Sequence, residues 1–384
     1  MPRTFYLFAI AGLILFVGLV TCSERGESDS AAVFRERIER AVEATQDAIV
    51  SDEEEWLAGQ LYRIGEGFDG RVGLAVVDVG RERSVHHNGN ELMPQQSVSK
   101  LWVALTALDQ ADRGDFSIED VTTIRRQDLT LFYQPVRSIV LTRGSFTTSY
   151  RDLIRRAIIQ SDNTANDMVL NAIGGPDAVR ETIVQKRLGA IRFGPGERIM
   201  QSGIAGLEWR QSYSIANRFY EARDRVPDEV RSTAFEGYIS DPVDGATPNA
   251  IAQALARLAR GELLSAGSTR AFMQWLTEVK SGPNRLKGGI APGWTIGHKT
   301  GTGQVYDPLP RGGPAEQAGY NDVGILTAPN GDQYAVAVLV ARTAIPLRER
   351  MAMMHEVVGA VIAYHNAANG EPLPIDGVQA SDGE

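Results

Sequence analysis

Two different spacings of apolar residues divide the chain into strands near its ends and helices between them. The apolar stretch 71–79 and the segment 82–87 are separated by a glycine-containing turn and predict a β-hairpin. Later strand signals predict three more strands, at 294–301, 320–326 and 333–341. Apolar residues at helical spacing predict helices over 31–50, 53–66, from 97 onward, 150–173, 212–224, 248–260, 268–279 and 348–366.

Because the strands come from both ends of the chain, the helices between them form an insertion. The order predicts an α/β (α+β) fold: an antiparallel five-stranded sheet flanked by helices, plus an inserted all-helical lobe, with a cleft between the two. We expect a main domain over 53–368, with an α/β lobe from 53–95 and 266–368 and a helical lobe from 96–265. Residues 369–384 are expected to be a flexible acidic tail.

The N-terminus has the features of a targeting or anchoring segment. Sixteen uncharged, mostly apolar residues, Phe5–Val20, follow Arg3, so residues 1–21 are predicted to be a signal peptide or a membrane anchor. The next residue, Cys22, ends a stretch that resembles the bacterial lipoprotein box, in which the cysteine is lipidated; the alternative is an uncleaved anchor with an incidental thiol. Residues 22–52 are predicted to be a tether and a first helix, and the rest an exported, periplasmic protein, tethered as a lipoprotein if Cys22 is modified.

Composition excludes several function classes. The 384 residues are 43% hydrophobic and 23% charged, as in a soluble globular enzyme. Lys plus Arg total 39 against 48 acidic residues, a net charge of −9, so we expect no nucleic-acid partner. A single cysteine excludes an intrachain disulfide and a cysteine-based zinc site. The five histidines lack metal-ligand spacing, so neither a metal nor a cofactor is expected; they are His86, His87, His298, His355 and His365.

The first chemical motif is Ser97-Val98-Ser99-Lys100, at the start of a predicted helix. This spacing puts the Ser97 hydroxyl and the Lys100 amine on one helix face. A serine becomes a nucleophile when a base takes its proton, and a lysine can do so if burial or nearby positive charge lowers its pKa. The structural alternative is a capping serine with a surface lysine.

The second motif is Ser161-Asp162-Asn163. It is either a helix N-cap or a catalytic element, in which Ser161 passes a proton to the leaving group and Asn163 donates to a substrate amide.

The third motif is Lys299-Thr300-Gly301 on a predicted strand. Either Lys299 is a solvated edge residue, or Lys299 and Thr300 bind a substrate carboxylate and the glycines of this motif let substrate approach the strand backbone. In the second case the N–H groups of Ser97 and Thr302 could form an oxyanion hole.

Together and in this order, the three motifs resemble those of the class A β-lactamases and the related penicillin-recognising serine hydrolases. Two of only five lysines occupy motif positions. Further similar stretches are Tyr133-Gln134-Pro135-Val136, 173–176, 241–248 and 292–294. The resemblance implies a β-lactamase/transpeptidase-like fold, a cleft flanked by Tyr133, and a carboxylate-binding role for Arg285, whose alternative is an ordinary surface cation.

The chain departs from the family where the acyl-enzyme would be hydrolysed. The family's Glu-x-x-Leu-Asn motif, which holds the hydrolytic water, is missing, and the chain is longer than the family norm around 195–240. Glu208 is our candidate for the missing base because Trp209 would exclude water, and Glu197 is the second candidate. Asp167 replaces a family asparagine that steadies this loop.

The leading hypothesis is a monomeric serine hydrolase that opens β-lactam rings through an acyl-enzyme on Ser97, with a small molecule as its substrate. One alternative is a D-Ala-D-Ala carboxypeptidase or penicillin-binding-protein-like enzyme, which shares the acylation step. Another is a penicillin-binding sensor without turnover.

Overall fold

The five predicted strands form one antiparallel sheet. In the computed structural model, which describes residues 51–307 and 314–374, the sheet consists of β1 (Arg71–Asp78), β2 (Arg83–His87), β7 (Thr295–Thr302), β10 (Tyr320–Thr327) and β11 (Gln333–Arg342). Its strand order is β2-β1-β11-β10-β7, and every neighbouring pair is antiparallel. This confirms the predicted fold class.

Short strands and helices complete the described chain. The short strands are β3 (Met93–Pro94), β4 (Val121–Arg125), β5 (Ser145–Ser149), β6 (Gly245–Ala246), β8 (Val305–Tyr306) and β9 (Glu316–Gln317). The helices are α1 (Asp52–Glu66), α2 (Lys100–Arg113), α3 (Val136–Arg143), α4 (Tyr150–Ile159), α5 (Asn163–Ala172), α6 (Gly175–Gln185), α7 (Glu197–Ile204), α8 (Arg218–Arg223), α9 (Asp228–Ser240), α10 (Pro248–Ala259), α11 (Ala266–Thr277) and α12 (Leu347–Ala368).

The three inner strands, β1, β11 and β10, are buried on both faces, which explains why β1 and β11 read as nearly continuous apolar runs. Alternate residues of a strand point to opposite faces, so Leu74 and Val76 pack towards α1 and α12, whereas Ala75 and Val77 pack towards α10 and the helical lobe. Full burial of each such valine or leucine contributes about 1.5–3 kcal/mol. The two resulting cores hold the sheet rigidly between helical layers.

Helix α2 runs through the centre of the helical lobe, and its first ten residues are buried. A 3-10 turn, Gln96–Ser99, leads into it and packs against β7. The close approach requires Gly301, because a Cβ there would lie 2.3 Å from the Gln95 carbonyl oxygen. The start of α2 is therefore fixed against one edge of the sheet.

Several elements differ from the sequence prediction. The helix predicted over 150–173 is two helices, because Ser161 has a φ of 59° and Asp162 starts a new helix. The segment 212–224 contains most of a 3-10 turn and the six-residue α8, and the sequence analysis did not predict the two-stranded β4–β5 sheet. Among the described residues, none of the helices combines the length and apolar character that crossing a membrane requires. The predicted leader, Cys22 and helix 31–50 lie outside the described residues.

Candidate active site

Ser97 and Lys100 meet at the entry to α2, as their spacing predicts. The Lys100 Nζ donates a 2.6 Å hydrogen bond to Ser97 Oγ. Lys100 is fully buried, so it is not the surface lysine of the structural alternative. Burying an ammonium group costs several kcal/mol unless it is paired with an opposite charge, so Lys100 requires a carboxylate partner.

The partner of Lys100 is Glu197, the first residue of α7. Its Oε1 accepts a 2.6 Å hydrogen bond from Lys100 Nζ, and the residue is only 3% exposed. A carboxylate is favoured at a helix N-terminus, where unpaired N–H groups give partial positive charge. The Glu197 backbone N–H donates to Asp167 Oδ1 at 3.3 Å. Burial, together with the nearby Glu197 carboxylate, raises the pKa of Asp167 to about 6.

Glu208, the first sequence candidate for the missing base, is exposed and does not line the cleft. The prediction of its position is therefore wrong, and Glu197, the second candidate, lies where the base was expected. The physical reason is that Trp209 packs against Tyr213 and under the Arg198 guanidinium, and so does not cover a carboxylate beside Ser97.

Sequence reasoning missed Gln201. Its Nε2 donates to Glu197 Oε2 at 3.3 Å and to Gln96 Oε1 at 2.8 Å. The signal was present: Gln201 follows Glu197 by four residues, the spacing of Glu and Asn in the family motif, and residues four apart share a helix face.

The residue before Ser97 has strained backbone geometry. Gln96 has a φ of 54°, which is uncommon for a residue other than glycine. Its N–H donates to Asp244 Oδ2 at 2.7 Å and its Nε2 donates to the Tyr238 hydroxyl, which in turn donates to Asp244 Oδ1. Burial raises the pKa of Asp244 to about 6. This buried network fixes the direction of the Ser97 turn.

Ser161 and Lys299, from the second and third motifs, also meet. The Lys299 Nζ donates to Ser161 Oγ at 2.9 Å and to the Thr300 carbonyl oxygen at 2.9 Å. Although β7 is an edge strand, Lys299 is fully buried, which excludes the solvated-lysine interpretation. Burial, and next the positive charge of Lys100, lower the pKa of Lys299 well below its usual range. Lys299 can therefore give up a proton readily.

Asp162 and Asn163, at the start of α5, form the wall of the cleft on the side of the helical lobe. Asp162 caps α5 by accepting from Ala165 N–H, and its other oxygen accepts from Val136 N–H. The capping interpretation thus holds for Asp162, while Ser161 remains at the cleft. Asn163 lines the cleft, and its Nδ2 donates to the Leu131 carbonyl oxygen at 2.9 Å.

Thr300 and Thr302 line the other wall, whereas Gly301 faces the Gln95 carbonyl and does not line the cleft. The missing Cβ of Gly301 makes room for the chain's own backbone, and the glycine of this motif that lines the cleft is Gly303. Arg285 is buried behind this wall. It donates to the carbonyl oxygens of Gly301 and Asn321 and to Thr302 Oγ1, and so reaches the cleft only through Thr302.

These walls enclose a cavity of about 660 Å³. Six residues predicted for the site line it, namely Ser97, Tyr133, Ser161, Asn163, Thr300 and Thr302. Glu197 and Gln201 line it as well, and Tyr133 is largely exposed at its mouth. A nucleophile and a buried carboxylate thus line one pocket, and Lys100 and Lys299 lie directly behind its two serines, an arrangement suited to acyl transfer.

Comparison with known proteins agrees with this geometry. The sequence model of the β-lactamase enzyme family matches residues 57–364, most of the chain. The chain belongs to that family. It is a divergent member of the class A type, and this membership confirms the prediction of a β-lactamase-like hydrolase.

The similar curated proteins are related at low identity. The extended-spectrum β-lactamase PER-1 of Pseudomonas aeruginosa is 27% identical over 302 residues, 78% of this chain and 84% of PER-1. The β-lactamase VEB-1 of the same organism is 26% identical over 274 residues, 71% of this chain and 78% of VEB-1. A solved class A β-lactamase from Bacteroides cellulosilyticus shares the fold, with a TM-score of 0.65 and 21% identity over 83% of this chain and all of that chain.

Proposed function

We propose that this protein is a β-lactamase that opens the lactam ring through an ester on Ser97 and then hydrolyses that ester. The observation that carries the proposal is the pair of hydrogen bonds from Lys100 Nζ, one to Ser97 Oγ and one to Glu197 Oε1. They connect the nucleophile to a buried carboxylate that also lines the cleft.

In acylation, the Ser97 hydroxyl proton moves to Lys100 and from there to Glu197 as the serine oxygen bonds to the lactam carbonyl carbon. The N–H groups of Ser97 and Thr302 donate hydrogen bonds to the carbonyl oxygen as negative charge develops on it. As the ring C–N bond breaks, Ser161 gives its hydroxyl proton to the nitrogen and takes a proton from Lys299, whose Nζ lies 2.9 Å from Ser161 Oγ. The lowered pKa of Lys299 favours this transfer.

Before deacylation, Glu197 releases to solvent the proton that came from Ser97, and Lys299 takes from solvent a proton to replace the one it gave to Ser161. In deacylation, the ionised Glu197 takes a proton from a water molecule, and the resulting hydroxide attacks the ester carbonyl carbon. The bond to Ser97 breaks, and the serine oxygen regains a proton through Lys100. Gln201 supports this step, because its amide contacts the second oxygen of Glu197 and could hold the water as the family's asparagine does. A base inside the cleft favours a lactamase over a carboxypeptidase, whose lactam ester is long-lived.

The test is steady-state hydrolysis of a chromogenic cephalosporin by the purified protein and by the Ser97→Ala variant. We expect turnover by the native protein and a loss of at least about a thousandfold in the variant. Full turnover by Ser97→Ala would refute the mechanism. An ester on Ser97 that persists for minutes would favour the carboxypeptidase alternative, and absence of any reaction would favour the sensor.

The cellular setting remains a proposal that rests on the sequence alone: an exported, periplasmic monomer, attached to the membrane only through its N-terminus. In a bacterial host, labelled palmitate should enter the native chain and not the Cys22→Ala variant if Cys22 is lipidated. Labelling of both chains, or of neither, would contradict lipidation at Cys22.

A further inference from the structure

One wall of the cleft comes from the segment around 195–240, where the sequence leads us to expect extra length relative to the family. This segment contains α8, and two residues of α8, Tyr220 and Arg223, line the same cavity as Ser97. The segment therefore contacts whatever occupies the cleft.

An aromatic cluster anchors α8 against the helical lobe. The buried Phe219 ring packs edge-on against Phe132 at 5.1 Å and against Tyr220 at 5.6 Å, measured between ring centroids. Phe132 itself lines the cavity, and its φ of 57° is strained for a bulky residue. Strain of this kind persists only where surrounding contacts impose it, and here they hold two aromatic rings at the cleft.

A cation lies beside these rings. The Arg223 guanidinium carbon is 5.2 Å from the Tyr220 ring centroid, and the side chain is 25% exposed. Its Nε and Nη2 both donate to Asp224 Oδ1, at 3.3 and 3.2 Å. Because a guanidinium has five N–H donors, this contact does not exhaust them. Asp224 is mostly exposed, so solvent weakens its hold on Arg223.

The charges that line the cavity are unequal. Among the described residues, two cations, Arg223 and Lys280, line it against one carboxylate, Glu197, and Glu197 is already paired with Lys100. The described lining therefore carries a local surplus of positive charge in a protein whose net charge is −9, while Asp224, the partner of Arg223, lies outside that lining. Such a local field favours anionic ligands.

We infer that Tyr220 and Arg223 form a specificity site for β-lactams whose acyl side chain carries an aromatic ring and a second carboxylate. The ring packs against Tyr220 and Phe132, and the carboxylate binds the Arg223 guanidinium. This inference rests on the proposed function, because it needs the lactam to react at Ser97.

The test compares two penicillins that differ by a single group. Carbenicillin is benzylpenicillin with a carboxylate on the carbon between the phenyl ring and the amide. For each protein variant, the quantity measured is the ratio of kcat/KM for carbenicillin to kcat/KM for benzylpenicillin. Arg223→Gln should lower this ratio about three- to fivefold, as expected for a partly exposed charge pair. Arg223→Lys should lower it less, and Arg223→Glu should lower it further.

The matched control is Arg225→Gln, which removes the same charge from an exposed position that does not line the cavity. Its ratio should stay within twofold of the native value. An unchanged ratio in Arg223→Gln, or an equal fall in Arg225→Gln, would overturn the inference while leaving the proposed function intact. If neither penicillin reacts with the native protein, the proposed function fails, and the inference fails with it.

Discussion

Replacing Glu197 with glutamine tests the assignment of the deacylating base. The substitution keeps an oxygen that can accept the 2.6 Å hydrogen bond from Lys100, so it removes the base and largely preserves the geometry. Truncation to alanine would instead leave Lys100 as an unpaired buried cation, at a cost of about 3–5 kcal/mol in stability.

We expect deacylation to slow by about 10²–10⁴, the usual contribution of a positioned general base, or about 3–5 kcal/mol of barrier. Acylation should slow less. Lys100 stays beside Ser97, so its amine can still take the proton from the serine hydroxyl directly.

Because acylation then outruns deacylation, the Glu197→Gln protein should accumulate the penicilloyl ester. Intact-protein mass spectrometry at successive times after mixing with benzylpenicillin measures the fraction acylated and its lifetime. The matched control is Glu208→Gln, which changes the exposed carboxylate beside Trp209 and should turn over like the native protein. Turnover by Glu197→Gln within threefold of the native rate, or ester accumulation in Glu208→Gln, would refute the reasoning.

Two further predictions concern stability, measured by thermal or urea unfolding. Gly301→Ala should destabilise the protein by about 1–3 kcal/mol, because the new Cβ would lie 2.3 Å from the Gln95 carbonyl oxygen. Its control is Gly237→Ala, in an exposed stretch of α9 with open space around it, which should stabilise the protein by about 0.5–1 kcal/mol. Equal effects of the two substitutions would contradict the packing argument. The pKa of Asp167 is raised to about 6 in the folded protein, so between about pH 4 and 6 the folded state binds more protons than the unfolded state. The free energy of unfolding therefore falls as the pH rises through that window, by up to about 2–3 kcal/mol from this group. Asp167→Asn should therefore gain stability relative to the native protein at pH 7.5 and not at pH 4.5, and an equal difference at both pH values would contradict the prediction.

The sheet and the motif pairs could be predicted from the sequence because their signals are local. A strand buried on both faces must be apolar at nearly every position, as β1 and β11 are. The scarcity of lysine also singles out Lys100 and Lys299, because two of only five lysines lie in these motifs.

The features that the sequence did not predict depend on contacts between distant parts of the chain. The two-stranded β4–β5 sheet gives no clear strand signal, because it is rich in serine and threonine, has a single fully buried apolar residue, Ile124, and joins strands about twenty residues apart. The choice between Glu197 and Glu208 turned on the packing of Trp209, which no local pattern reveals. The cluster around Phe219 likewise brings together residues from 131–132 and 205–219, so its place at the cleft could not be read from either segment alone.

The most direct test of the central claim is a rapid-quench time course of the native protein with benzylpenicillin, with peptide mapping of any adduct. We predict an ester on the peptide that contains Ser97, formed and lost within the time of one turnover. Hydrolysis without any adduct on Ser97, or an adduct that outlasts many turnover times, would contradict the account.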